Sequence, residues 1–135
     1  MSTRSTTHFL GYRGEVEAII YRHYDGYPEG AGMDIRKFFN RLEDNVADHR
    51  FSDASYLAAK YVVYLAEMFQ TKNGDTLDFL GLGVLKEDPF DIEYRYTINC
   101  DKFDEDLRPT VTCHNIYADY FLDCYWAEGA ESEVQ

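Results

Sequence analysis

Residues 21–32 read YRHYDGYPEGAG, and this stretch separates two different sequence patterns. Before it, residues 15–23 (EVEAIIYRH) alternate between two faces and are rich in β-branched and aromatic residues, which predicts a strand. After it, residues 33–46 (MDIRKFFNRLEDNV) repeat apolar side chains at i, i+3, i+4 and i+7, which predicts an amphipathic helix. The stretch therefore predicts a strand-to-helix junction.

The junction contains residues that favour a turn. In an Asp25-Gly26 pair the aspartate bonds nearby backbone N–H groups and the glycine is expected to adopt a positive φ. In a Tyr27-Pro28 pair the residue before the proline is extended, so a helix does not run through it. The later glycines permit a sharp entry into the helix.

The same stretch is crowded with polar groups, so a ligand site there is an open alternative. His23 could act as a general base oriented by Asp25, and an arginine could hold an anion. No nucleophile lies in the loop, which argues against covalent catalysis. The predicted ligand-binding residues of this alternative are Arg4, Arg22, His23, Asp25 and Tyr27.

Working outward, residues 3–10 (TRSTTHFL) predict a strand that pairs with 15–23 as a hairpin. A second helix is expected over 53–70, with Ser52 as N-cap and Asn73-Gly74 as its stop. Its predicted core stripe consists of Ala54, Leu57, Ala58, Tyr61, Leu65, Met68 and Phe69.

The remaining strands follow the helices. Residues 77–86 predict a short buried strand, and the clean alternation of 91–99 (DIEYRYTIN) predicts another. Residues 101–109 read as an acidic connection, and 109–126 as a final strand pair that turns near Ala118-Asp119. The segregated order ββ–αα–ββββ predicts an α+β fold, with a mostly antiparallel sheet and the helix pair on one face. We expect one domain over 1–128 and a flexible acidic tail over 129–135.

Three segments resemble a family of small uncharacterised proteins of bacteriophages, prophages and bacterial genomes. They are TRSTTHF at 3–9, YRHYDGYPEGAG at 21–32 and IEYRYTI at 92–98. Where the family often has a histidine before the last glycine of the second segment, this chain has Ala31. The resemblance implies a shared fold and a phage or prophage context, and it implies no catalytic residues.

The charge is uneven along the chain. Residues 1–74 carry 10 acidic and 9 basic groups, and residues 75–135 carry 15 and 4, so the second half carries −11 of the net −12. Such a field repels nucleic acid and anionic membranes and attracts basic protein surfaces. The sequence therefore predicts no direct nucleic-acid binding.

We expect a small, cytoplasmic, non-enzymatic binding protein that inhibits a host nucleic-acid-binding or defence protein through its acidic half. Aromatic residues commonly anchor such interfaces. The alternatives are the ligand site or minor enzymatic site at residues 21–32, and a homo-oligomeric accessory protein. The predicted partner-binding residues are Asp101, Asp104, Glu105, Asp106, Asp119, Asp123, Tyr125 and Trp126.

No metal or other cofactor is expected. Cys100, Cys113, His114 and Cys124 lack the spacing of a zinc motif, and the acidic run 101–106 lacks the glycine and distal glutamate of a calcium-binding loop. The three cysteines are predicted to be free thiols. We see no signal peptide and no run long enough to span a membrane.

Overall fold

The computed structural model describes residues 2–45, 51–73, 77 and 80–123. Within these ranges the chain forms six strands and two helices: β1 (Ser5–Leu10), β2 (Val16–Arg22), α1 (Met33–Asn45), α2 (Ala54–Asn73), β3 (Leu82–Leu85), β4 (Tyr94–Phe103), β5 (Pro109–Asn115) and β6 (Tyr120–Asp123). The fold is α+β, as the segregation of helices and strands predicts.

The sheet is mixed, so the expectation of a mostly antiparallel sheet is wrong. Its order is β3-β2-β1-β4-β5-β6, and β1 pairs with β4 in parallel. Along the chain, short helical turns at Tyr12–Gly14 and Pro28–Gly32 interrupt the predicted order ββ–αα–ββββ. In the sheet, the order of the strands also differs from their order along the chain. The parallel pairing arises because the segment 86–93 carries the chain from β3 past β2 and β1 to β4, a distance of about 14 Å at the usual strand spacing.

One face of the sheet packs against the two helices. Alternation along the strands directs every second side chain to this face, including Phe9, Ile20, Tyr96 and Ile98. These residues form one cluster with Phe38 and other apolar residues of both helices. The predicted α2 stripe is confirmed: Ala54, Leu57, Ala58, Tyr61 and Leu65 are buried, and Met68 and Phe69 are partly buried against the cluster.

Three local predictions need correction. The N-cap of α2 is Asp53 rather than Ser52, since the Tyr56 N–H points to Asp53 Oδ1 at 3.4 Å and α2 begins at Ala54. The strand β3 is not buried: it lies at the edge of the sheet, and Val84 is exposed. The strand β4 continues to Phe103 through an irregularity, so part of the predicted acidic connection is strand.

Candidate functional site

The sheet face opposite the helices, which we call the crossover face, carries a row of polar and aromatic side chains. The strand register aligns Tyr21, Thr6, Arg95, His114 and Phe121 across five strands. Strand alternation places all five on the same side. The segment 86–93, which we call the crossover segment, passes over this face.

Asp88 of the crossover segment is fixed to the sheet by three side chains. The Thr6 hydroxyl donates to Asp88 Oδ1 at 2.6 Å, and His8 Nε2 lies 2.7 Å from the same oxygen. Arg95 Nε donates to Asp88 Oδ2 at 2.6 Å. The alternation of β1 and β4 therefore places three hydrogen-bonding side chains where they bind one carboxylate from the crossover segment.

The hydrogen bonds control the ionisation of Asp88. Burial alone would raise the pKa of this carboxyl, but the hydrogen bonds from Thr6, His8 and Arg95 outweigh burial and lower the pKa. The group is therefore a carboxylate at neutral pH. The Thr6 hydroxyl donates to Asp88 but belongs to a fully buried residue, so it is not positioned to attack a substrate. The arrangement is that of a structural clamp.

A second group of polar contacts lies beside this clamp. The Arg4 guanidinium pairs with Asp91, and the Tyr21 hydroxyl lies 2.8 Å from His23 Nδ1. The Ser2 hydroxyl lies 3.4 Å from His23 Nε2. A polar cavity of about 260 Å³ adjoins these groups and is lined by Ser2, Arg4, Asp91, Glu93 and Tyr117.

The five predicted ligand-binding residues do not converge on one site. Arg4 and His23 lie on the crossover side, whereas Arg22 faces the helices and is only 4% exposed. Arg22 Nη1 donates to Asp34 Oδ2 at 2.7 Å, and its Nε donates to the Tyr24 carbonyl. The charge and the hydrogen-bond donors of Arg22 are therefore engaged inside the protein and do not face the crossover side.

Asp25 and Tyr27 lie at the surface of the junction and contact each other. The Tyr27 hydroxyl donates to Asp25 Oδ1 at 3.2 Å, and this hydrogen bond raises the pKa of Tyr27. The positive φ expected of Gly26 belongs instead to Asp25, with φ 56°, a conformation that aspartate tolerates. Gly26 is needed for another reason, since a Cβ there would lie 2.8 Å from the Thr3 carbonyl oxygen.

The predicted partner-binding residues separate into two groups. Four carboxylates surround the turn between β4 and β5, and we call them the acidic hairpin end: Asp101, Asp104, Glu105 and Asp106. Asp119 lies in the turn between β5 and β6, at the opposite end of β5 and about 20 Å away by strand length. Tyr125 and Trp126 lie outside the described residues, as does the predicted tail 129–135, and Asp123 ends β6.

All four carboxylates of the acidic hairpin end belong to exposed residues. Asp101 accepts from the Arg13 backbone N–H, and Asp104 accepts from the backbone N–H groups of Asp106 and Arg108. Within the described part of the chain, no side-chain cation forms a salt bridge with any of the four. Their negative charge therefore faces solvent.

The cysteine and histidine residues considered for zinc point in different directions. Cys100 and Cys113 are buried on the helix-covered face, and burial raises the pKa of the Cys100 thiol to about 12. His114 lies on the crossover face, and Cys124 is outside the described residues. Over the ranges that the structure describes, no three histidine, cysteine or acidic side chains are grouped as a metal would require.

Comparison of the chain with models of protein families, with curated proteins and with solved structures finds no match. Among the described residues, neither helix combines the length and apolar character needed to cross a bilayer.

Sequence reasoning missed the clamp residues Thr6, His8, Asp88 and Arg95. Alternation could have placed Thr6 and His8 on one face of β1 and Arg95 on one face of β4. It could not show that β1 and β4 are neighbours, or that Asp88 passes over both. That information resides in the pairing of strands far apart in sequence.

Asp88→Asn is expected to lower the free energy of unfolding by about 2 kcal/mol at pH 7, because it weakens three partly buried hydrogen bonds and leaves Arg95 without its carboxylate. The folded-state pKa of Asp88 lies below its unfolded value, so its contribution is present above the unfolded pKa of about 4 and is lost as pH falls through the folded pKa. The difference between wild type and variant should therefore shrink below about pH 4.

Urea denaturation of both proteins at pH 7 and pH 3 measures this difference. The exposed neighbour Glu87 provides the matched control, and Glu87→Gln should change stability by less than about 0.5 kcal/mol. A stability difference for Asp88→Asn that is equal at the two pH values would contradict the prediction.

Proposed function

We propose that this chain is a non-catalytic binding protein whose acidic hairpin end engages a basic surface of a host protein. The observation that carries the proposal is the exposure of four carboxylates around one turn, none of which is in salt-bridge contact with a side-chain cation among the described residues. Basic surfaces that normally bind nucleic-acid phosphates offer complementary charge. The phage or prophage context follows from the resemblance of the three sequence segments and is part of the proposal.

Further carboxylates lie near the acidic hairpin end and add to its negative charge. Glu15 and Glu17 are exposed near the β1–β2 turn, and the Arg13 backbone of that turn contacts Asp101. The charges of Glu17 and Asp53 also help to raise the pKa of Cys100, after burial, which places both carboxylates at this end of the domain. One end of the molecule therefore concentrates negative charge, which steers association with a basic partner.

The experiment is affinity capture from a lysate of the bacterial host at low and high salt, followed by mass spectrometry and by affinity measurements on the captured protein. Glu105→Gln combined with Asp106→Asn removes two charges whose side chains make no hydrogen bond within the described residues. We expect about five- to tenfold weaker binding at low salt and a smaller difference at high salt.

A matched single variant tests whether position matters beyond net charge. Glu29→Gln removes one charge from the opposite end of the domain and is compared with Glu105→Gln. Glu29→Gln should bind like wild type, whereas Glu105→Gln should bind more weakly at low salt. Equal weakening by the two single variants, or binding that does not respond to salt, would refute the proposed role of the acidic hairpin end.

A further inference from the structure

The crossover segment presents a phenylalanine to solvent. Phe90 is 99% exposed, whereas Phe9, Phe38 and Phe39 are buried in the core. A single exposed apolar side chain is common on protein surfaces and needs no explanation. Phe90 differs from such a side chain because its backbone is fixed on both sides and because other exposed aromatic residues lie on the same face.

Phe90 is fixed on both sides. Asp88, two residues before it, is held by three side chains of β1 and β4. Asp91, directly after it, pairs with Arg4, and the Glu93 N–H donates to the Arg4 carbonyl at 2.9 Å. Pro89 restricts the intervening backbone. A side chain that is presented by a fixed backbone loses less entropy when a partner binds it.

Two further aromatic residues lie on the same side of the sheet. Tyr117 is 67% exposed and lines the cavity that Arg4 and Asp91 also line. Phe121 is 70% exposed and stacks on His114 with ring centroids 4.2 Å apart. His114 is the register partner of Arg95, which holds Asp88. The aromatic residues and the clamp therefore belong to one continuous part of the crossover face.

The charge around these aromatic residues identifies the kind of partner. The exposed Lys86 offsets only its neighbour Glu87, whereas Glu93 lines the cavity and the exposed Asp119 lies in the turn that follows Tyr117. The cations Arg4 and Arg95 are already engaged by Asp91 and Asp88. A second copy of this chain would bring the same carboxylates and a net charge of −12, so charge disfavours it.

We propose that Phe90 is the anchor of a docking surface, completed by Tyr117 and Phe121, for an apolar pocket rimmed by lysine or arginine on a partner protein. The inference rests on the proposed function, because it assumes binding to a basic partner, and it adds a second contact surface. Buried aromatic anchors commonly dominate interface energetics, whereas surrounding charges act mainly on the rate of association.

Site-specific photocrosslinking tests this surface. A benzoyl-phenylalanine probe replaces Phe90 in one protein and Val63 in another, since Val63 is 57% exposed in the middle of α2 and provides an apolar control on the helix side. After irradiation in host lysate, the probe at position 90 should crosslink a basic protein that the probe at 63 does not. No position-specific crosslink, a crosslink to a second copy of this chain, or one to an acidic partner would overturn the inference.

The affinity of the crosslinked protein then separates the inference from the proposed function. Phe90→Ala should weaken binding about 30-fold or more, and Val63→Ala should leave binding unchanged. If the hairpin double variant weakens binding and Phe90→Ala does not, the docking surface is wrong and the proposed function stands. If Phe90→Ala weakens binding that responds to salt but not to the hairpin double variant, the docking surface stands and the proposed role of the acidic hairpin end is wrong.

Discussion

Replacement of Arg22 by methionine is expected to lower the free energy of unfolding by about 3–5 kcal/mol. The guanidinium is almost completely buried, pairs with Asp34 at 2.7 Å, and donates to the Tyr24 carbonyl. It also lies over the Phe69 ring, 5.4 Å from its centroid. The variant leaves Asp34 as a buried carboxylate without its cation, and this uncompensated charge causes most of the expected loss.

Denaturant unfolding measures the effect, and two further variants identify its origin. The pair Arg41–Glu67 has side chains that are 53% and 52% exposed, so Arg41→Met should cost less than about 1 kcal/mol. Adding Asp34→Leu to Arg22→Met should recover much of the loss, because both charges are then absent. A double variant as unstable as Arg22→Met would show that shape, and not charge, dominates at this position.

The second large effect is expected for Gly30→Ala. A Cβ at position 30 would lie 2.3 Å from the backbone carbonyl oxygen of Asp25. That oxygen accepts the Ala31 N–H at 2.8 Å and is part of the main chain, so it cannot rotate away as a flexible side chain would. We expect a loss of about 3 kcal/mol, because the backbone of the junction must shift to accommodate one methyl group.

The chain contains a glycine suited as a control for this substitution. A Cβ at Gly83 in β3 would meet its nearest neighbours at 3.6 Å or more, which is ordinary van der Waals contact. Gly83→Ala should therefore be neutral or raise stability by up to about 1 kcal/mol, by restricting the unfolded chain. Thermal or urea denaturation compares the two, and equal effects would contradict the steric explanation.

The local structure of this protein could be predicted well from its sequence. The alternation around Tyr96 and the helical spacing around Phe38 and Leu65 identify their elements and buried faces, because a half-buried strand and helix impose different periods. The strand-to-helix junction was also predictable from its turn residues. Asp53 was missed as N-cap because Ser52 is an equally suitable residue one position earlier.

The arrangement of the strands could not be predicted in the same way. Periodicity assigns residues to faces, but it does not identify the neighbour of each strand, so the β1–β4 pairing and the edge position of β3 were missed. The candidate sites could not be predicted for the same reason, since they depend on which strands are neighbours. Arg22 and His23 are adjacent in sequence yet lie on opposite faces of the sheet, and the clamp at Asp88 forms only because β1 lies beside β4.

The parallel pairing of β1 with β4 also has a consequence for the order of folding events. Ser5 pairs with Tyr94, 89 positions later in the chain, so the middle of the sheet closes through a contact of very high sequence separation. During synthesis β1 and β2 can form their hairpin early, but one edge of β1 must wait until β4 has emerged. Closing such a long loop costs entropy before any contact compensates for it. Folding is therefore expected on the millisecond-to-second scale typical of nonlocal β topologies.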